Sequence, residues 1–179
     1  MIVYNDVKRQ FVYDVKHNLI ADKILTAVRS KGLNAGYDRE YLSWENSMQF
    51  MRNIVDDAEI DDEVCISIEY NIPLTSKRVD FIIAGADSEG NENIVIVELK
   101  QWEAVDKVER LDAVVVETYV GGGKRQTTHP SYQAWSYAAL IEDFNEEVRN
   151  RPIHLKPCAY LHNYIVADND PLVDGHYAE

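Results

Sequence analysis

The chain has 179 residues, of which 46% are hydrophobic and 27% charged, the size and composition of one ordinary globular domain whose core needs no staples. Its formal net charge of −13 argues against a surface built broadly for polyanions, because sequence-independent affinity for nucleic acid comes from Lys and Arg on phosphates. No run approaches the roughly 18 apolar residues of a membrane span, and Asp6, Lys8, Arg9, Asp14 and Lys16 break up any signal-peptide core, so a soluble protein with no membrane association and a cytoplasmic location is expected.

Residues 1–16 mix short apolar alternation with charge and fit a strand or a helix equally well. Leu19, Ile20, Ile24, Ala27 and Val28 then follow helical spacing, which predicts a helix capped by Asn18 and stopped by Gly32. A longer helix is predicted over 38–58, with Trp44, Met48, Met51, Ile54 and Val55 on its apolar stripe. At about 100° per residue Glu40 falls on that stripe, whereas Glu45 groups with Gln49, Arg52 and Asp56 on the polar face. Glu40 therefore points inward from the first turn, where it suits the helix dipole; it either reaches water at the helix end or joins the acids described below.

The acidic stretch 56–63 reads as a solvated connection. A strand over 64–70, ended by Pro73, would place Ile66, Ile68 and Tyr70 on one face and Cys65, Ser67 and Glu69 on the other. For Glu69 an exposed or edge face is a cheaper account than a place in a site. Cys65 and Cys158, each in an apolar run, read as buried free thiols, with a disulfide still open.

Residues 78–102, RVDFIIAGADSEGNENIVIVELKQW, hold two β-favouring runs around a Gly, Asp and Asn-rich connection, which predicts a hairpin with a long loop. Symmetry about Glu89 sets Ala84 opposite Ile94, Ile82 opposite Ile96, Asp80 opposite Glu98 and Arg78 opposite Lys100. Strand alternation then puts Asp80, Glu98 and Lys100 on one face. Like charges directly opposed, with Cβ atoms roughly 4.5–5.5 Å apart, are destabilising. A hard divalent cation would compensate, since Mg²⁺ is held by one or two carboxylates with water and substrate phosphate completing its shell. Lys100 would emerge beside it, placed to act on an attacking water.

Further on, 103–110 reads as a loop or short helix, 111–120 as a strand, and Gly121-Gly122-Gly123 as a turn into Lys124 and Arg125. A phosphate-loop reading fails there, because Thr118 stands where the motif needs Gly and Arg125 where it needs Ser or Thr. A flexible tip that touches a phosphate backbone is the better account. Lys77, Arg78, Lys100, Lys107 and Arg110 join Lys124 and Arg125 as candidates for a small basic strip. Pro130 suits the first position of a helix whose core-facing stripe is Gln133, Tyr137, Leu140 and Phe144. The Gln133 amide is either satisfied by backbone or bonds a carboxylate or a substrate phosphate. A last strand over 153–164 is interrupted by Pro157, and His154 and His162 have no partner at metal-ligand spacing. The polar tail from Val166 ends without a clear stop, so the single domain over 1–179 is read as either the whole protein or a piece of a longer one. No repeat, Cys-x-x-Cys pair, nucleophile elbow or dinucleotide fingerprint occurs.

Glu40 on a helix, Val79-Asp80 on one strand, Glu98-Leu99-Lys100 on its partner, and Gln133 with Tyr137 on a later helix together resemble the PD-(D/E)XK nuclease superfamily. Over about 38–163, the stretches Glu40-Tyr-Leu-Ser-Trp-Glu-Asn-Ser47, Glu69-Tyr-Asn-Ile-Pro73, Arg78-Val-Asp-Phe-Ile-Ile-Ala-Gly85, Glu98-Leu-Lys-Gln-Trp102, His129-Pro-Ser-Tyr-Gln133 and His162-Asn163 look like the nuclease-like N-terminal domain of certain bacterial and phage helicase-type ATPase proteins. The resemblance implies an α/β fold with a restriction-endonuclease-like core, a central mixed β-sheet flanked by helices. It implies Mg²⁺ or Mn²⁺ as cofactor and hydrolysis of phosphodiester bonds in nucleic acid, DNA ahead of RNA. By position, Glu40, Asp80 and Glu98 would bind metal or position water, Lys100 would assist the nucleophile and Gln133 would support the site. Arg78, Tyr137, Lys124 and Arg125 are the weaker candidates for touching substrate. Val79 departs from the motif, which has Pro there, but that proline does no chemistry. No ATPase follows in the chain, so a helicase-type ATPase in cis or in trans is the implied partner. The alternatives are a catalytically inactive module of the same fold that binds nucleic acid or docks onto such an ATPase, and a phosphodiesterase acting on nucleotides.

Overall fold

The computed structural model describes residues 2–32, 37–109 and 114–177, with Tyr37 and Asp38 placed by their backbone only. The ambiguous N-terminal stretch is both candidates in turn: strand β1 (Tyr4–Val7) runs straight into helix α1 (Lys8–Lys16). Helix α2 (Ile20–Ser30) buries Ile20, Ile24 and Val28 as its spacing requires. Asn18 does not cap it; that residue sits at φ 55 in the turn between the helices, and Leu19 takes the cap position with no side-chain bond.

Helix α3 (Tyr37–Val55) buries Trp44, Ser47, Met48, Met51 and Val55. It ends at Val55 rather than Ala58, and Ile54, roughly 80° from the centre of the stripe, stays exposed on the last turn. Strands β2 (Cys65–Asn71), β3 (Arg78–Ala86) and β4 (Glu92–Lys100) follow. The stretch read as a loop or short helix supplies instead a short strand, β5 (Val105–Lys107), because its residues pair with the next strand. Strand β6 (Val115–Val120) and strand β7 (Gly123–Thr128) complete a small sheet, turned by Gly121 at φ 62 and Gly122 at φ 86. Residues 111–113 of the expected strand and Arg110 of the expected basic strip lie outside the described residues.

Helix α4 (Pro130–Phe144) begins at its proline, and the His129 ring accepts the Ser131 N–H as its cap. Tyr137 is buried, but Phe144, past the last buried residue Ile141, is exposed, so the stripe is shorter than its spacing suggests. A short helix α5 (Glu146–Asn150) and strand β8 (His154–Leu161) close the core.

The main sheet has the order β1-β2-β3-β4-β8, antiparallel except for the parallel β4–β8 pair, which is the mixed sheet of an α/β fold. Pro157 is tolerated within β8 because that strand lies at the sheet edge, where a missing N–H breaks no inner ladder. One face is covered by α1, α2 and α3 over Phe11, Ile24, Met51, Ile66, Ile68 and Phe81. The other face packs under α4 and α5 through Val79, Ile82, Ile96, Tyr137, Ile141 and Val148. The helices α3 and α4 thus flank the β3–β4 hairpin from opposite sides. Both cysteines are free thiols, but Cys65 is half-buried and Cys158 is exposed on the edge strand rather than buried. Among the described residues no helix is long and apolar enough to cross a membrane.

Candidate active site

The hairpin register read from symmetry holds where it is regular: Ile82 faces Ile96 and Ala84 faces Ile94. The ladder stops at Phe81 and Val97, one pair short of Asp80 and Glu98. There the Leu99 N–H donates to Asp80 Oδ2 at 2.8 Å, so a side chain has taken a donor that would otherwise serve the sheet. On the far side of β3, Ile68 pairs with Phe81 and Tyr70 with Val79, which sets Glu69 opposite Asp80. Three acids on three neighbouring strands, Glu69, Asp80 and Glu98, consequently stand in one row across the sheet.

Strict alternation does not survive in that row. Val79 and Ile82 both belong to the core under α4, while Phe81 belongs to the core under α3, and on β2 the switch falls between Ile68 and Tyr70. Glu69 sits at φ 57 at that switch. Asp80, Glu98 and Lys100 do come together, but Asp80 also lines a cavity of about 120 Å³ beside α3, whereas Glu98 and Lys100 reach α4. The hairpin ladder also ends before Arg78 and Lys100, which pair on their outer edges with Asn71 and Leu161.

On the α4 side, Gln133 is the hub. Its Nε2 donates to Glu98 Oε1 at 2.7 Å and to the Tyr137 hydroxyl at 2.8 Å, and its Oε1 accepts from Lys100 Nζ at 3.1 Å. Lys100 Nζ also donates to Glu98 Oε1 at 2.5 Å and lies 5.4 Å from the Trp102 ring centroid. The amide that sequence left open thus bonds a carboxylate, and Tyr137 holds the amide. Glu98 is only 3% exposed, and its Oε2 is buried with no hydrogen-bond partner. Burial first, and then the neighbouring Asp80, push the Glu98 carboxyl up to about 7 against the pull of Lys100. Asp80 is raised as well, by burial, with the Leu99 N–H, Lys100, Arg78 and a hydrogen bond from the neutral Glu98 carboxyl opposing.

On the α3 side, Glu69 is 4% exposed rather than on an open face. Its Oε1 accepts from Trp44 Nε1 at 2.6 Å, and its buried Oε2 is held by Arg78 Nε as an ion pair without a hydrogen bond. Burial raises its carboxyl to about 7, with Arg78 and Trp44 acting against the rise. Glu40 points inward as helical arithmetic requires and lines the same cavity, where it accepts from an Arg78 terminal nitrogen at 3.3 Å. A polar chain closes the cavity's other wall: Gln101 Nε2 donates to Ser43 Oγ at 2.8 Å and Ser47 Oγ at 3.0 Å, and Ser47 Oγ meets His162 Nε2 at 3.1 Å. His162, which has no partner at metal-ligand spacing, is tied to α3 by that contact.

The structure thus brings Asp80, Glu98, Lys100, Gln133 and Tyr137 together and adds Arg78 and Glu40 along the cavity. It places Lys124 and Arg125 elsewhere, on the small sheet, where Lys124 pairs with Asp106 at 2.7 Å and Glu117 at 3.4 Å. Lys107 is likewise paired, with Asp174, so the expected basic strip is spent largely on the chain's own acids. Among the described residues no group of three or more His, Cys, Asp and Glu is arranged to hold a metal ion. The Asp80–Glu98 pair still suits a hard cation, because two buried carboxylates meet there and one oxygen has no donor. Glu69 and Trp44 are the residues that sequence reasoning missed. The one available signal was an acid inside an apolar strand facing Asp80 across the sheet. No protein-family model matches the chain, and no curated protein or solved structure gives a significant match.

Proposed function

We propose that this chain is a metal-dependent nuclease domain that hydrolyses phosphodiester bonds of nucleic acid, with DNA the first substrate to try. The observation that carries the reading is the buried, partnerless Oε2 of Glu98 beside Asp80, with Lys100 held on the other oxygen. Leaving such an oxygen unpaired is costly unless a ligand completes it. Asp80 and Glu98 would hold Mg²⁺ or Mn²⁺, and Glu40 would position water at the rim of the cavity. A cation there would lower the pKa of a bound water and offset charge on the phosphate. Lys100, fixed by Gln133, would stand beside the nucleophile, and Tyr137 would keep Gln133 in place. A helicase-type ATPase is the partner and the cytoplasm the setting that go with this reading.

Incubation of plasmid, single strands and small cyclic nucleotides with Mg²⁺ or Mn²⁺ tests it. The parent protein should cut nucleic acid, and Asp80→Ala and Lys100→Ala should cut at least a hundredfold more slowly, as removal of one electrostatic group typically does. Equal cutting by the variants, or none by any preparation, defeats the enzyme reading. The second reading, an inactive module that docks onto an ATPase, is favoured by Arg78, which already neutralises Glu69 and Glu40 without a metal. Calorimetry with Mn²⁺ separates the two, since a docking module needs no metal.

A further inference from the structure

Glu69 adopts the left-handed region, φ 57, in the middle of β2 between two regularly paired residues. L side chains other than Asn and Asp rarely adopt that conformation, and an outlier that persists is over-determined by its surroundings. Here the surroundings are Trp44, which donates to Oε1 at 2.6 Å, and Arg78, whose Nε pairs with Oε2. Glu40 receives an Arg78 terminal nitrogen at 3.3 Å, so the guanidinium is held by two carboxylates. Arg78 lines the cavity it shares with Asp80, next to the pair in which Glu98 leaves a buried oxygen unpartnered.

We infer that Glu69 is a positioning residue that fixes the Arg78 guanidinium to receive the phosphate of the substrate at the Asp80–Glu98 site. The identity of that substrate rests on the nuclease reading. A guanidinium has five N–H donors in a planar fork that matches phosphate oxygens, and a fork held in advance loses little freedom on binding. An arginine with no such anchor beside Asp80 and Glu98 would be drawn onto them and take the place of a cation. Glu69 keeps it off that pair. The rival account is a structural ion pair, which would not need a side chain turned against its own strand.

The test is the affinity of a phosphorothioate-backbone DNA duplex, read by fluorescence anisotropy in Ca²⁺, for the parent, Glu69→Gln, Arg78→Ala and the double variant. Gln keeps the shape of Glu69 and an acceptor for Trp44. Each single variant should weaken binding by about tenfold to a hundredfold, the loss of a charge-assisted contact. The double variant should bind no worse than Arg78→Ala alone, because Glu69 acts through Arg78. In cleavage, Glu69→Gln should raise KM with kcat nearly unchanged. Additive losses, a lowered Tm with affinity intact, or a parent that does not bind would each overturn the inference. Binding by the parent without cleavage would sink the nuclease reading and leave the positioning role standing; cleavage with unchanged affinity in Glu69→Gln would do the reverse.

Discussion

Asp14 and Glu98 are both buried acids, 0% and 3% exposed, and the protein treats them in opposite ways. Asp14 on α1 accepts the Tyr4 hydroxyl at 2.9 Å, Gln10 Nε2 at 2.8 Å, and Lys23 Nζ on its two oxygens at 2.8 and 2.7 Å. Glu98 receives Lys100 and Gln133 on a single oxygen, has no donor on the other, and meets a second acid in Asp80. A chain that can complete one buried carboxylate from its own side chains leaves another incomplete. The first is a structural joint between the N-terminal strand and two helices. The second has the form of a site, because a buried charge lacking donors is tolerated where an outside group can supply them.

The comparison can be broken most directly by stability. Asp14→Ala removes the acceptor shared by Tyr4, Gln10 and Lys23 and should cost about 3–5 kcal/mol in urea unfolding, the scale for breaking a buried charged network. Glu98→Gln, by contrast, should leave stability at alkaline pH unchanged or raised. Equal losses would mean that both acids are merely structural.

A second, smaller effect lies in the pH dependence. Glu98 and Glu69 are raised from 4.5 to about 7, so between those values the folded protein binds more protons than the unfolded chain. Stability contributed by these groups is therefore present in acid and lost as pH rises through the window, by up to about 3 kcal/mol for each group. Unfolding at about pH 5 and about pH 8 should show the fall, each Gln variant should remove its own share, and Mn²⁺ should restore stability at the higher pH by binding the ionised acids. A slope untouched by both Gln variants would detach these two groups from the site.

The smallest expected effect is at Gln101, which ties the end of β4 to Ser43 and Ser47 on α3. Gln101→Ala should cost about 0.5–1.5 kcal/mol in stability, the worth of a neutral hydrogen bond. If α3 must be held against β4 for the site to form, the same variant should also weaken Mn²⁺ binding in calorimetry. Unchanged metal affinity would confine Gln101 to packing.

Periodicity carried far in this chain where the backbone stays regular. The division of Glu40 from Glu45, the hairpin register through Ile82 and Ile96, the helix start at Pro130 and the inward Gln133 were all legible, because each follows from a fixed rotation or alternation per residue. The small sheet was read only in part, since β5 contributes three residues whose pairing depends on a strand elsewhere in the chain. Ile54 and Phe144 were misplaced because a helical stripe says which way a side chain points but not how far the core extends beneath it.

The acidic row was legible as a pair, Asp80 with Glu98, and in the structure it is three acids with an arginine between helix and sheet. By itself the sequence determined that Asp80, Glu98 and Lys100 cluster and that Gln133 arrives from a later helix. The tertiary structure decided that Asp80 also opens onto the cavity beside α3, that Glu69 is buried and that Arg78 lies between two carboxylates. On β2 the reason is the backbone at Glu69: its positive φ breaks the alternation on which strand reading depends. What holds it there is Trp44 and Arg78, partners that no local pattern connects to it.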